Sequence, residues 1–143
     1  MAVCTFFGHR DCIGLSKQRL GEAIEDLILN HGVDLFYVGN EGLFDALVHW
    51  VLFAMKKKYP HIRYAVVLAY PAKNLPGEDY SDTMLPAGIE AIHSKYAITW
   101  CNRWMLQRAD YVITYVTHSW GGAARFAEEA QRRGRSIIRL SSG

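Results

Sequence analysis

Cysteine is scarce in this chain, strong net charge is absent, and no apolar run is long enough to cross a membrane. Each absence excludes a class. The three cysteines, Cys4, Cys12 and Cys101, are odd in number and have no Cys-x-x-Cys spacing. Neither a disulfide framework nor a zinc site is indicated, and a reducing compartment, the cytoplasm, is the expected location. Sixteen Lys and Arg against fourteen Asp and Glu leave a formal charge of +2. That balance lacks the basic excess of a dedicated nucleic-acid binder, so nucleic acid is not the expected partner. The apolar stretch Val3 to Phe7 runs straight into His9-Arg10-Asp11, too short for a signal peptide, and nothing else approaches a span. A soluble protein with no membrane partner is expected. The histidines His31, His49, His61 and His93 have no metal-ligand spacing, so no metal is expected and no cofactor is indicated.

What is present is alternation. Half of the 143 residues are apolar, enough for one domain, residues 1–143, that buries roughly 68% of its unfolded surface. Val3 to Phe7 read as a buried strand. Leu20, Ile24, Leu27 and Ile28 recur at helical spacing before Gly32 ends that helix. Asp34 to Val38 form a second strand. Leu43, Phe44, Leu47, Val48, Val51, Leu52 and Met55 line a second helix, closed by Lys56-Lys57-Lys58 at its negative end. Arg63 to Ala69 make strand three. From Tyr70 to about His93, a stretch with three of the four prolines, no periodicity persists, and a long loop or lid is expected. Ala97, Cys101, Trp104 and Met105 share a helical face, Tyr111 to Val116 are strand four, Gly122 to Arg133 a helix, and Ser136 to Leu140 strand five. Strands alternating with helices give an α/β fold. It is a single Rossmann-like, doubly wound parallel sheet of about five strands with helices on both faces.

The chemistry gathers where strand four meets the last helix. Gly121-Gly122 let the backbone approach a ligand, and the helix that follows opens with unpaired N–H groups aimed there, the arrangement of a phosphate cradle. Gly8-His9-Arg10 after strand one supplies a small residue, an imidazole and a fork suited to phosphate or carboxylate. Gly39-Asn40-Glu41-Gly42 with Asp45 follows strand two. There a carboxylate could hold a ribose hydroxyl, or Asn40 could cap the helix. Glu128 lies about 150° around its helix from the stripe Ala123, Phe126, Ala127 and Ala130. That direction suits a pocket glutamate or an exposed ion-pair ladder with Arg125 and Arg132. Cys101 shares the apolar face of its helix and reads as packing. Trp120 and Tyr80 fall in loops where a base could stack.

The helix, strand, glycine turn and helix from Cys101 to Glu128 resemble the SLOG superfamily, which groups the DNA-processing protein A fold with the Lonely Guy hydrolases. The Lonely Guy pattern is an Arg-Lys-x-x-Met helix, an Ala-Asp strand entry, and Pro-Gly-Gly-x-Gly-Thr-x-x-Glu. Met105 and Ala109-Asp110 keep that mutual spacing, Gly121-Gly122 match the paired glycines, and Glu128 stands at the final glutamate. The departures are Trp120 for the proline, Ala124 and Arg125 for the third glycine and the threonine, and Cys101-Asn102 for the Arg-Lys pair, with Arg103 near but out of register. Gly8-His9-Arg10 and the segment from Gly39 to Asp45 resemble stretches of short bacterial SLOG proteins, for which no activity is carried over.

The resemblance implies strand order 3-2-1-4-5, with ligands outside the carboxyl ends of strands one and four where the chain reverses. It also makes a homodimer an expectation. The resulting reading is a site for a nucleotide or nucleotide-derived small molecule, with phosphate at Gly121-Gly122 and Ser119 beside Arg10 and Arg103. Gly8, His9 and Gly39 would line it, and Asn40, Asp45 and Asn102 would hold sugar or base. The alternative is hydrolysis of the N-glycosidic bond of a nucleoside 5′-monophosphate, with Glu128 assisting water attack and Arg103 in support. Nucleic-acid binding is a third possibility, resting only on the DNA-processing relative.

Overall fold

The computed structural model describes residues 1–70 and 82–141. Strand β1 (Ala2–Gly8) leads through helix α1 (Lys17–Asn30) to β2 (Val33–Val38), then through α2 (Leu43–Lys58) to β3 (Arg63–Val67). A two-residue strand β4 (Thr83–Met84) and a 3-10 turn at Ile89–Ala91 precede α3 (Ser94–Arg108), β5 (Tyr111–Tyr115), α4 (Gly122–Arg132) and β6 (Ser136–Arg139). All six strands are parallel, in the order β4-β3-β2-β1-β5-β6. The expected order of five is present inside it. The sixth strand, β4, lies in the stretch expected to be a loop. Two residues carry no alternation to read, and their pairing with Val66 and Val67 depends on a neighbour distant in sequence. The remainder of the expected lid, residues 71–81 including Tyr80, lies outside the described residues.

Alternation along β1 explains the two faces. Cys4 and Phe6 point to the face covered by α1 and α2, where Leu20, Ile24, Phe44, Val48 and Leu52 meet Phe36 and Ile113. Phe7 points to the other face, stacked on Phe126 of α4 with ring centroids 5.4 Å apart. On that face Ala97, Cys101 and Met105 of α3 pack against Val67 and Ala69. Burying Phe6, Phe36, Phe44 and Phe126 almost completely stabilises the fold by roughly 2 kcal/mol each before entropy is counted. α1 starts where Ser16 accepts the Arg19 N–H at 3.3 Å, and α3 where the His93 ring accepts the Lys95 N–H at 3.0 Å. No described helix is long and apolar enough to cross a membrane.

Candidate functional site

β1 and β5 are neighbours whose following connections leave in opposite directions, from β1 through α1 to β2 and from β5 through α4 to β6. The sheet therefore opens a crevice at the carboxyl ends of β1 and β5. Its volume is about 420 Å³, within the range of small-molecule sites. Four segments form its walls: Gly8 to Asp11, the β2–α2 connection, the α3 face with Ile98, Asn102 and Met105, and the β5–α4 turn with His118, Trp120, Gly121 and Gly122.

The turn is built for a bare helix start. Gly121, the residue before α4, has φ +94°, a left-handed conformation that a side chain would strain, and no side chain caps the helix. The first N–H groups of α4 therefore face the crevice with only the dipole of the helix behind them. Gly122 is different. Its backbone is ordinary, and a Cβ there would meet no atom within 4 Å.

The opposite wall is acidic. Asp45, in the first turn of α2, reaches back to accept the Glu41 N–H at 2.9 Å, while no side chain caps the helix itself. Of the two readings open for this segment, the Asn40 cap is not made. The helix begins one residue after Gly42, beyond the reach of Asn40, whose side chain is exposed and stands outside the crevice. Gly39 makes room for this arrangement, since a Cβ on it would lie 2.8 Å from Asp45 Oδ2. Burial pushes the Asp45 carboxyl up to about 6, with the Glu41 N–H pulling the other way and the Glu41 charge adding to the rise. Burial also raises Glu41, against the pull of Arg10. The Arg10 guanidinium lies 3.9 Å from Glu41 with 72% of its side chain exposed, free to swing to a ligand. Arg10 is anchored through its carbonyl, which accepts the Leu43 N–H at 2.8 Å. Gly42, at φ +152°, permits this contact, because a Cβ would fall 2.8 Å from Arg10 Cβ.

Gly8 lines the crevice and is also required by packing, since a Cβ on it would overlap the buried Phe44 ring. His9 is buried and its Nε2 accepts the His118 N–H at 3.3 Å. The His9 and His118 rings stack at 3.5 Å between centroids, and His118 stacks on Trp120 at 3.8 Å. Burial first, and the His118 ring second, hold His9 below the ordinary imidazole range. Sequence reading missed this column. His9 and His118 are 109 residues apart and no spacing rule links them; only their positions after adjacent strands could have suggested the contact.

Besides Asn40, three expected site residues stand elsewhere. Ser119 lines a second cavity of about 380 Å³ with Arg19, Thr117 and Leu140. Arg103 is bonded to Glu129 at 3.3 Å and lies over the Phe126 ring. Glu128 is 71% exposed and paired with Arg132 one helical turn on, also at 3.3 Å. Of the two directions open to Glu128, the structure has the ion-pair ladder. The stripe of Phe126 and Ala130 faces the sheet, which turns Glu128 to solvent. Cys101 is buried on the α3 face and its thiol is pushed up to about 11 by burial, a packing residue as expected.

The deciding comparison is one of shape. The whole chain superimposes on 51% of the DNA processing protein A from Streptococcus pneumoniae, with a TM-score of 0.65 and 16% identity. The fold is like that of this part of the DNA processing protein A. The chain thus spans about half the length of that protein, and at this identity the likeness concerns the fold alone. No protein-family model matches the sequence, and no curated protein matches it significantly.

Proposed function

We propose that this SLOG-like chain binds a nucleotide or nucleotide-derived small molecule in the switch-point crevice, phosphate at the Gly121-Gly122 turn and sugar toward Asp45 and Asn102. The observation that carries the reading is the uncapped start of α4 opening into the crevice opposite a carboxylate wall. An anion is attracted to one side and repelled from the other, while Glu41 and Asp45 accept hydroxyls. One ligand with a phosphate at one end and a sugar beyond it satisfies both walls.

Hydrolysis through Glu128 lacks support, because that carboxylate is engaged with Arg132 outside the crevice walls. Binding without turnover is therefore the reading. The DNA-processing fold relative raises nucleic acid as the other class. A net charge of +2 argues against it, since few cations are available to displace counterions from a phosphate backbone.

Thermal denaturation with a panel of adenine and guanine nucleotides, ADP-ribose and the matching nucleosides tests the proposal. A ligand at a hundredfold excess over its Kd stabilises the folded state by about 2.7 kcal/mol, which for a domain of this size raises Tm by about 10 °C. At least one phosphorylated compound should do so and its nucleoside should do much less. A panel without shifts, or nucleosides equal to their phosphates, would overturn the reading. Tight DNA binding that persists at about 0.2 M salt would favour the nucleic-acid class instead.

A further inference from the structure

His118 is the middle ring of a three-ring column. His9 lies on one side at 3.5 Å with planes 16° apart, and Trp120 on the other at 3.8 Å with planes 19° apart. The column walls the crevice beside the anion turn. His118 Cε1, the carbon between its two nitrogens, comes within 4.0 Å of the place a Cβ on Gly121 would take. The nitrogen-bearing edge of the ring is thus at the turn. Nδ1 is buried without a hydrogen-bond partner, and among the described residues no group bonds Nε2.

The two imidazoles are not equivalent. His9 Nε2 accepts the His118 backbone N–H, so its proton resides on Nδ1 and the ring is neutral. A second positive charge 3.5 Å away is disfavoured, and His9 is already held low by burial. The column therefore has room for one extra proton, and the hydrogen bond on His9 assigns it to His118. There the Trp120 π face favours a cation.

We propose that His118 is the cationic contact for a tetrahedral dianion at the Gly121 turn, taking up a proton as the dianion binds. The inference rests on the reading of that turn as a phosphate site and extends it, by making the preferred ligand a dianionic phosphate rather than a carboxylate or a phosphodiester. Charges of both signs line the two cavities beside the ring: Asp11 of the β1–α1 loop, Glu41, Asp45 and Arg10 in the crevice, and Arg19 in the second cavity. A dianion bound at the turn adds an attraction for the protonated ring. By linkage, a group whose proton affinity rises on binding makes binding tighter at low pH, and the gain is lost as pH rises through its midpoint in the complex.

Inorganic sulfate, dianionic throughout, is the probe. Ring-nitrogen NMR titrations of the full chain between about pH 5 and 8 are run with sulfate and with chloride at matched ionic strength. Sulfate should raise the His118 midpoint by about one unit and leave the exposed His61 unmoved, equivalent to about tenfold tighter binding at the acid end. His118→Phe, which keeps a stacking ring, should remove that pH dependence, with a loss of about tenfold in sulfate affinity near pH 6 and less than about twofold near pH 8. Equal displacement of His118 and His61, or an unchanged pH profile in His118→Phe, would overturn the proposal. Displacement of His118 by sulfate while no nucleotide stabilises the fold would support it and sink the nucleotide reading. Nucleotide monophosphate binding with no proton uptake attributable to His118 would do the reverse.

Discussion

Replacing Gly122 with valine separates the turn's role in binding from its role in folding. The backbone at Gly122 has no positive φ and a Cβ would project into open space, so the fold has no steric reason to object. Helix propensity at this exposed first position changes stability by about 0.5 kcal/mol or less. A ligand phosphate would meet a β-branched side chain between itself and the N–H groups that open α4. Charge-assisted hydrogen bonds contribute about 1.5–3 kcal/mol each, so losing two costs about 3 kcal/mol or more, near 150-fold in Kd. Calorimetry with the best-binding nucleotide on the folded variant reads this loss directly. An affinity within threefold of the parent, with Tm preserved, would refute the assignment of phosphate to this turn.

Other substitutions probe the supports of the site. Gly8→Ala drives a methyl into the Phe44 ring and should destabilise by about 1–3 kcal/mol in chemical denaturation; an unchanged midpoint would contradict that packing. Asp45 has a folded-state pKa raised from 3.8 to about 6, so its favourable contribution is complete below pH 3.8 and lost as pH rises through 6. Tm of the parent relative to Asp45→Asn should therefore fall across that window, and parallel profiles would remove the buried carboxylate from the account. Glu128→Gln should alter nucleotide affinity less than twofold and stability by less than about 0.5 kcal/mol, as an exposed i,i+4 pair allows; a loss of binding beyond tenfold would return Glu128 to the site.

Much of this architecture is legible from pattern because the elements are long and their periods clear. The apolar stripe of α2 with its closing lysines and the β-branched run of β5 reach within a residue or two of the element ends, whereas the stripe of α1, Leu20 to Ile28, marks the body of the helix and not its start at Lys17. β4 escaped because two residues carry no period. Within the site, Gly121 was readable as a turn glycine, since the left-handed start of α4 demands it. The residues around it were harder. Gly8 and Gly39 owe their identity to Phe44 and Asp45, tertiary neighbours that composition does not reveal. Glu128 showed two directions from its helical position alone, and only the docking of Phe126 on Phe7 decides between them. The His9, His118 and Trp120 column required two loops to be brought together by adjacent strands, a contact made in three dimensions and nowhere adjacent in the chain.

The central claim is that a ligand phosphate sits on the open end of α4. A crystal structure of the chain with a nucleoside monophosphate, chosen as the strongest stabiliser of the panel, tests it most directly. The account predicts phosphate density within about 3 Å of the first α4 N–H groups, at Gly122 and Ala123, with the sugar directed toward Asp45. Ligand density in the second cavity beside Ser119 and Arg19, or an empty turn in crystals at saturating nucleotide, would contradict it.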